Sequence, residues 1–554
     1  MKLLAYFIFK ISIALILFSS SILCEDISLA DDDIKSADLQ IIGKILTTEE
    51  GKDFFAFRGI PYAKPPIGER RFKDPEPYGE WEGLLDARKD RNLCPQNMYN
   101  EFNLTMSEDC LTLNVYTKSL EDNKPVLVYI HGGGFKYGTG NSLIYNPKYL
   151  LDEDIVFVIF NYRLGPFGFL STDSKEATGN FGFKDQVLVL KWVRDNIKGF
   201  GGNPDLITLI GHSAGAISAT LHMASPMSKN LFHRVIALSA SSTHHWKGQN
   251  SHLTQTLAES VNCPVNDSKE LVECLRKKPW EDIIEACSKW DENGLADLEW
   301  NVELEKDFGQ EQFINENPSV LYRNGNFFKI PVIIGTTRDE FADQGHKIIL
   351  DTYLLNEFNE NFNKVAPNCL GYNYSDVEES KTISERLRDF YFKDQRIGVV
   401  TETNLSNLFS DALINHGVHR FVQLASQHID VYFYRFDYKG RYTCSYSKSY
   451  GEPFYVYHGD ILFYLFVYPY CAPEFKKEDP EYLVMKKFIK FLKNFAQSGN
   501  PNGDKSKDDE SYWTPSTKEN IKTYYINEIS KVDEPPYQDR LTLWDELFPI
   551  KENN

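Results

Sequence analysis

A serine framed by two glycines is the feature of this chain whose residue types and spacing point most directly to chemistry. Ser213 lies between Gly211 and Gly215 in a Gly-x-Ser-x-Gly pentapeptide. A strand-like run, 206–210, precedes it and a helix-like stretch, 216–223, follows it, which is the setting of a nucleophile elbow. Both glycines lack the Cβ atom that would clash in so tight a turn. We therefore expect Ser213 to be an exposed nucleophile, with an ordinary glycine-rich turn as the alternative.

A run of three glycines is the second candidate for chemistry. It occurs in His131-Gly-Gly-Gly-Phe135, directly after an apolar stretch. Glycine permits the dihedral angles that point backbone N–H groups into a site and lets the backbone approach a tetrahedral carbonyl closely. We expect the N–H groups of Gly133, Gly134 and Ala214 to form an oxyanion hole. A plain loop or a phosphate cradle is the alternative, but the sequence has no Gly-Lys-Ser/Thr ending and no Gly-x-Gly-x-x-Gly pattern.

Strands that alternate with helices are the elements that must position these residues. Within 185–198, apolar side chains recur at helical spacing and could cover a sheet. Alternation of strands and helices predicts an α/β fold with a large, mostly parallel central sheet and helices on both faces. Short β-branched and aromatic runs predict the buried strands, at 126–130, 156–160, 206–210, 235–238, 331–334 and 431–436.

Composition and charge exclude two broad classes of protein. The chain has 79 acidic residues against 60 Lys and Arg, a formal net charge of −19, and this balance argues against nucleic-acid binding. Apolar residues make up 42% and aromatic residues 14% of the chain, which is enough for a large core and excludes global disorder. Its 554 residues leave the number of domains open, since α/β folds often exceed the usual domain size.

The N-terminus and the cysteines both predict a secreted protein. Residues 1–24 have the lysines, apolar run and small residues of a signal peptide, with an N-terminal membrane anchor as the alternative. Eight cysteines follow Cys24, and an even number suits disulfides in an oxidising compartment. We expect an extracellular glycoprotein with no membrane span in the mature chain. The Asn-x-Ser/Thr glycosylation sequons are at Asn103, Asn266, Asn373 and Asn404.

With further motifs added, the sequence resembles the type-B carboxylesterase and cholinesterase family of α/β-hydrolases. The resemblance covers about residues 40–548, so it implies one catalytic domain, 25–554, in place of several. The implied activity is ester hydrolysis by a serine esterase that needs no cofactor and no metal. The matching stretches are 57–63, 71–72, 107–115, 131–135, 161–165, 185–186, 199–204, 211–215, 499–502 and residue 544.

The resemblance also implies the two partners of the nucleophile, in the order acid, then base. The acid loop of the family matches the stretch around Glu340, with Asp339 as the competing carboxylate, and the histidine loop matches the stretch around His458. Tyr455 departs from the family pattern, which usually has a glycine there. In these roles His458 takes the proton of Ser213 and later returns it to the leaving alcohol, while Glu340 orients the imidazole.

Structural pairs follow from the same resemblance. It implies two disulfides, Cys94–Cys110 and Cys263–Cys274, and two internal ion pairs, Arg71–Glu108 and Arg163–Asp185. The pairing of the remaining cysteines, Cys287, Cys369, Cys444 and Cys471, stays open.

The substrate class is indicated by what the cholinesterases have and this chain lacks. Cholinesterases carry a Glu before the nucleophile and a Trp-containing cage for the quaternary ammonium. In this chain the residue before Ser213 is His212. The loop 94–110 contains Tyr99 and Phe102 but no Trp. We therefore expect apolar esters to be preferred over choline esters. Juvenile hormone esterases usually carry Gln at this position, so His212 also counts against that assignment.

An inactive binding protein is the rival from another class. The family includes neuroligin-like adhesion proteins, which usually lose the nucleophile and carry a C-terminal membrane span. Here Ser213, Glu340 and His458 are all present, and no apolar span follows Trp544. The sequence thus favours a secreted serine carboxylesterase that hydrolyses a small-molecule ester through an acyl-enzyme on Ser213, as a monomer or homodimer, over a catalytically weak or inactive cholinesterase-like binding protein.

Overall fold

The fold is described by a computed structural model. The predicted signal peptide, residues 1–24, lies outside the described residues, as do Asn103, Asn373 and Tyr455. The described residues are 32–36, 39–99, 102, 104–245, 250–291, 300–372, 376–444, 456–469, 471–507, 509 and 511–551.

One large sheet organises the described residues. Thirteen strands join it in the order β1-β2-β3-β5-β7-β6-β10-β11-β12-β13-β14-β15, with β4 beside β2, while β8 and β9 pair separately. In chain order from β1 to β15 the strands are Asp33–Ser36, Ile41–Thr47, Asp53–Pro61, Leu85–Asp86, Thr112–Thr117, Lys124–Ile130, Val156–Phe160, Ser171–Ser174, Ala177–Thr178, Gly202–His212, Arg234–Leu238, Val332–Thr337, Val431–Phe436, Thr523–Ile526 and Lys531–Asp533.

The centre of the sheet is parallel and its edges are largely antiparallel. From β7 through β6, β10, β11, β12 and β13 to β14 every neighbouring pair is parallel. Strands β1, β2, β3 and β5 are antiparallel to their neighbours along the path, and β15 is antiparallel to β14. This arrangement confirms the predicted α/β class. All six predicted strands lie in the parallel part, whereas the antiparallel edge strands were not predicted.

Helices cover both faces of the sheet. Alternate residues of β6 enter two different apolar cores: Val126 and Val128 enter one, and Leu127 and Tyr129 the other. The predicted helix over 185–198 is present, and it begins four residues earlier. The α-helices are Gly165–Phe169, Phe181–Asn196, Ala214–Ala224, Asn250–Ser260, Ser268–Lys277, Trp280–Ser288, Pro318–Asn324, Ala342–Leu350, Thr352–Glu360, Phe362–Cys369, Val377–Phe392, Glu402–Ser410, His416–Ala425, Pro480–Ser498 and Gln538–Leu547.

In the described part of the chain, three disulfides join segments of this fold. Cys94–Cys110 and Cys263–Cys274 are paired as the resemblance implies. The structure adds a third pair, Cys444–Cys471, whose partners the sequence left open. None of the helices in the described part of the chain combines the length and apolar composition that a membrane crossing needs.

Candidate active site

The turn at Ser213 joins β10 to the helix Ala214–Ala224 under backbone strain. Ser213 has φ +57° and ψ −124°, a conformation that residues with a side chain rarely adopt. A Cβ atom on Gly211 would lie 2.0 Å from the carbonyl oxygen of Gly215, and one on Gly215 would lie 2.0 Å from that of Ile130. Only glycine therefore fits on either side of the serine. The predicted tight turn is present.

The glycine run passes directly beside this turn. A Cβ atom on Gly132 would lie 3.0 Å from the Cβ of Ser213. Gly133 and Gly134 have φ +118° and φ +58°. Across the described residues, no acceptor receives a hydrogen bond from the N–H groups of Gly133, Gly134 or Ala214. In the described residues, three amide groups without an acceptor thus lie in the elbow and in the glycine run beside it, an arrangement that could serve as an oxyanion hole.

A carboxylate and an imidazole from distant parts of the chain meet next to the elbow. Glu340 follows β12 and is fully buried, and its Oε2 lies 2.5 Å from Nδ1 of His458. The other carboxylate oxygen of Glu340 accepts a hydrogen bond from the backbone N–H of Thr337 at 2.7 Å. The backbone N–H of His458 also donates to the carbonyl oxygen of Glu340, at 3.0 Å. Both the side chain and the backbone of His458 are therefore held by the acid loop.

The neighbouring carboxylate does not compete for this position. Asp339 accepts a hydrogen bond from the backbone N–H of Val456 at 2.9 Å and pairs with the guanidinium of Arg338 at 2.8 Å. It anchors the start of the histidine loop and makes no hydrogen bond to His458. Of the two predicted acids, the structure brings Glu340 to the imidazole.

The second imidazole nitrogen of His458 is available for proton transfer. His458 is 7% exposed, and its Nε2 is buried with no hydrogen-bond partner in the described residues. The ring of Phe341 packs against the imidazole with centroids 4.7 Å apart, and the ring of His212 packs at 4.6 Å. Two rings therefore pack against the imidazole of His458. One of them belongs to His212, the residue before Ser213, so the imidazole lies next to the elbow.

His212 is buried in this contact and carries no charge at neutral pH. It is 5% exposed, and burial, with His458 nearby, lowers the pKa of His212 to about 3. Its Nε2 lies 2.9 Å from the carbonyl oxygen of His458. The residue that is Glu in cholinesterases is therefore a neutral group here, with its ring nitrogen bonded to protein backbone.

A buried aspartate supports the histidine loop and was missed as a functional residue in the sequence. Asp460 accepts hydrogen bonds from the backbone N–H groups of Tyr457 at 2.9 Å and Cys444 at 3.2 Å, and from the hydroxyl of Thr443. Burial raises the pKa of Asp460 to about 7. The available signal was an acidic residue two positions after His458, but neighbouring residues alone do not reveal which amides it binds.

The remaining predicted positions are two ion pairs and the glycosylation sequons. The ion pairs Arg71–Glu108 and Arg163–Asp185 are both present and buried. Asn266 is exposed before the helix Ser268–Lys277. Asn404 lies within a helix and donates its side-chain N–H to the carbonyl oxygen of Tyr391 at 2.8 Å. Among the residues that the structure describes, no cluster of three or more His, Cys, Asp or Glu side chains could hold a metal ion.

Comparison with known proteins gives the family. The model of the carboxylesterase family matches residues 34–544. Juvenile hormone esterase of Tribolium castaneum is 34% identical over 485 residues, covering 83% of this chain and 82% of the relative. Esterase E4 of Myzus persicae is 36% identical over 526 residues, covering 89% of this chain and 90% of the relative. A crystal structure of juvenile hormone esterase from Manduca sexta with OTFP covalently attached superposes with a TM-score of 0.81 at 27% identity, covering 92% of this chain and 98% of that one. The chain therefore has the α/β-hydrolase fold and belongs to the carboxylesterase family, as a carboxylic ester hydrolase.

Proposed function

We propose that this carboxylic ester hydrolase forms an acyl-enzyme on Ser213 with His458 as base and Glu340 as acid. The observation that carries the proposal is the 2.5 Å contact between Glu340 and Nδ1 of His458, which leaves Nε2 of the imidazole unpaired beside the strained elbow. An imidazole held in this way has one nitrogen committed to a carboxylate and the other free to accept the proton of a hydroxyl.

The reaction proceeds in two halves. His458 takes the proton of Ser213 as its oxygen adds to the ester carbonyl, and the amides of Gly133, Gly134 and Ala214 stabilise the oxyanion. The tetrahedral intermediate then expels the alcohol, which receives the proton from the imidazolium. Water repeats the sequence on the acyl-enzyme and releases the acid. The solved juvenile hormone esterase has a compound, OTFP, covalently attached to it. Similarity to that protein supports the proposal that this chain also reacts through a nucleophilic side chain.

The preferred substrates are neutral esters with apolar acyl or alcohol groups. His212 is uncharged at neutral pH, so it supplies no negative charge near a cationic substrate. The named relatives include both a juvenile hormone esterase and a protein named esterase E4, so similarity supports an ester substrate without selecting a particular ester. We expect kcat/KM for a neutral ester to exceed that for its choline counterpart. A preference for the choline ester would contradict this substrate class.

We further propose that the mature protein is a secreted single-domain enzyme, as a monomer or homodimer. The three disulfides among the described residues support an oxidising compartment, together with the signal-like residues 1–24 of the sequence. The exposed sequon at Asn266 is consistent with glycosylation there.

Labelling of the serine tests the mechanism against the binding-protein alternative. An organophosphate should modify Ser213 alone in the folded protein and stop turnover, because an activated serine attacks phosphorus as it attacks carbon. Mass spectrometry of the modified peptide identifies the site. The Ser213→Ala variant should take up no label and show no turnover above background. Label on another residue, or turnover that survives Ser213→Ala, would refute the acyl-enzyme proposal, and an unlabelled, inactive wild type would favour the binding protein.

A further inference from the structure

The contact between His212 and the histidine loop crosses the centre of the site. The Nε2 atom of His212 lies 2.9 Å from the carbonyl oxygen of His458, and the two rings pack with centroids 4.6 Å apart. His212 is the last residue of β10 and the neighbour of Ser213. One side chain therefore connects the segment that carries the nucleophile with the segment that carries the base.

The chemistry of this contact fixes the proton on His212. A carbonyl oxygen only accepts hydrogen bonds, so the Nε2 atom of His212 must carry the hydrogen. Burial lowers the pKa of His212 to about 3, so the ring stays neutral with Nε2–H as its donor at neutral pH. The bond from His212 to the carbonyl oxygen of His458 is thus present at neutral pH.

The backbone of His458 is held from two sides. Its N–H donates to the carbonyl oxygen of Glu340 at 3.0 Å, and its C=O accepts from His212. The first bond connects the histidine loop to the segment after β12, and the second connects it to β10. In the sheet, β11 lies between β10 and β12. Only the second bond bears directly on the spacing between the base and the serine, because Ser213 follows His212.

We propose that His212 is a positioning residue whose Nε2–H bond to the carbonyl oxygen of His458 sets the distance between Nε2 of His458 and Oγ of Ser213. This inference rests on the proposed function. It differs from a role in charge selection, since the ring acts through a hydrogen bond to backbone. It also differs from simple packing, because an apolar side chain of similar size would fill the space without supplying the donor.

Two substitutions separate the donor from the volume. In His212→Gln the side-chain amide keeps an N–H at about the position of the imidazole Nε2–H, whereas His212→Leu keeps volume and supplies no donor. We expect His212→Leu to lower kcat about ten- to hundredfold with KM changed less than about threefold, because a small misplacement of reacting groups costs up to about a hundredfold in rate. His212→Gln should retain kcat within about fivefold of wild type.

A second buried histidine gives the matched control. His222 is buried like His212, and burial lowers the pKa of His222 to about 3. Its ring nitrogens bond Gln186 and Ser228 and not His458. The variant His222→Leu should lose thermal stability and keep kcat per titrated active site within about threefold. A kcat loss in this variant equal to that of His212→Leu would show a general packing effect and overturn the proposal.

The outcomes separate this inference from the proposed function. If wild type hydrolyses a neutral p-nitrophenyl ester and Ser213→Ala does not, the function stands. If His212→Leu then matches wild-type kcat, or His212→Gln is impaired as much as His212→Leu, the positioning role is wrong. His212→Met provides a second variant without a donor. If both donor-free variants fail to fold while His212→Gln folds, the bond serves stability alone and the proposal is overturned.

Discussion

Replacement of Glu340 by Gln should disable the base without disturbing the packing of the site. One carboxylate oxygen of Glu340 accepts the backbone N–H of Thr337 at 2.7 Å, and the other faces Nδ1 of His458 at 2.5 Å. A Gln must turn its oxygen toward Thr337, since the opposite orientation would bring two N–H donors together. Its NH₂ group then donates to Nδ1 of His458. The proton of the imidazole is forced onto Nε2, so the ring cannot accept the proton of Ser213.

The expected size of this effect follows from the loss of the correct tautomer. In serine hydrolases that use such a base, the corresponding change lowers kcat about 10⁴-fold, or about 5 kcal/mol of transition-state stabilisation. We expect a loss of this order for Glu340→Gln, measured as kcat per folded molecule on a neutral p-nitrophenyl ester. The melting temperature should change little, because Gln has nearly the same shape as Glu and keeps an oxygen for the N–H of Thr337.

Asp339 provides the matched control for this prediction. The Asp339→Asn variant keeps an oxygen that can accept the N–H of Val456, and Asp339 makes no hydrogen bond to His458. Its kcat should stay within about threefold of wild type. A Glu340→Gln enzyme that is folded and within tenfold of wild type, or an Asp339→Asn enzyme that is equally impaired, would refute the assignment of the acid.

Two further predictions concern the glycine run and the histidine loop. Gly133→Ala should lower kcat by about a hundredfold or more and also lower the melting temperature, because φ is +118° and the new Cβ would lie 2.1 Å from a backbone oxygen. Gly134→Ala, at φ +58° with no atom within 4 Å of the new Cβ, should cost only about 1–2 kcal/mol of stability. Equal effects of the two variants on the melting temperature would contradict this prediction. Burial raises the pKa of Asp460 to about 7. Between about pH 4 and 7 the folded chain therefore holds a proton on Asp460 that the unfolded chain has released. The free energy of unfolding should fall as the pH rises through this window, by up to about 1.4 kcal/mol per pH unit. Asp460→Asn should flatten the dependence of the melting temperature on pH in that window, and an unchanged slope would show that Asp460 does not titrate there.

Much of the parallel sheet could be predicted from the sequence because its strands are buried on both faces. Such strands are continuous apolar runs, and Val156–Phe160 and Val431–Phe436 have the predicted bounds. The antiparallel strands Ile41–Thr47 and Asp53–Pro61 mix polar and apolar residues, so no comparable run indicates them. The resemblance to the family supplied the acid and histidine loops, which periodicity does not reveal.

The elbow was determined by the sequence itself, since a turn depends on neighbouring residues and the glycines at 211 and 215 are the only residues that fit it. The tertiary structure decided which side chains meet across long separations. His458 bonds Glu340 across 118 positions and contacts His212 across 246, and Cys444 pairs with Cys471. The physical reason is that these contacts depend on the register of parallel strands and on the paths of the loops after them. Neither is encoded in the spacing of nearby residues.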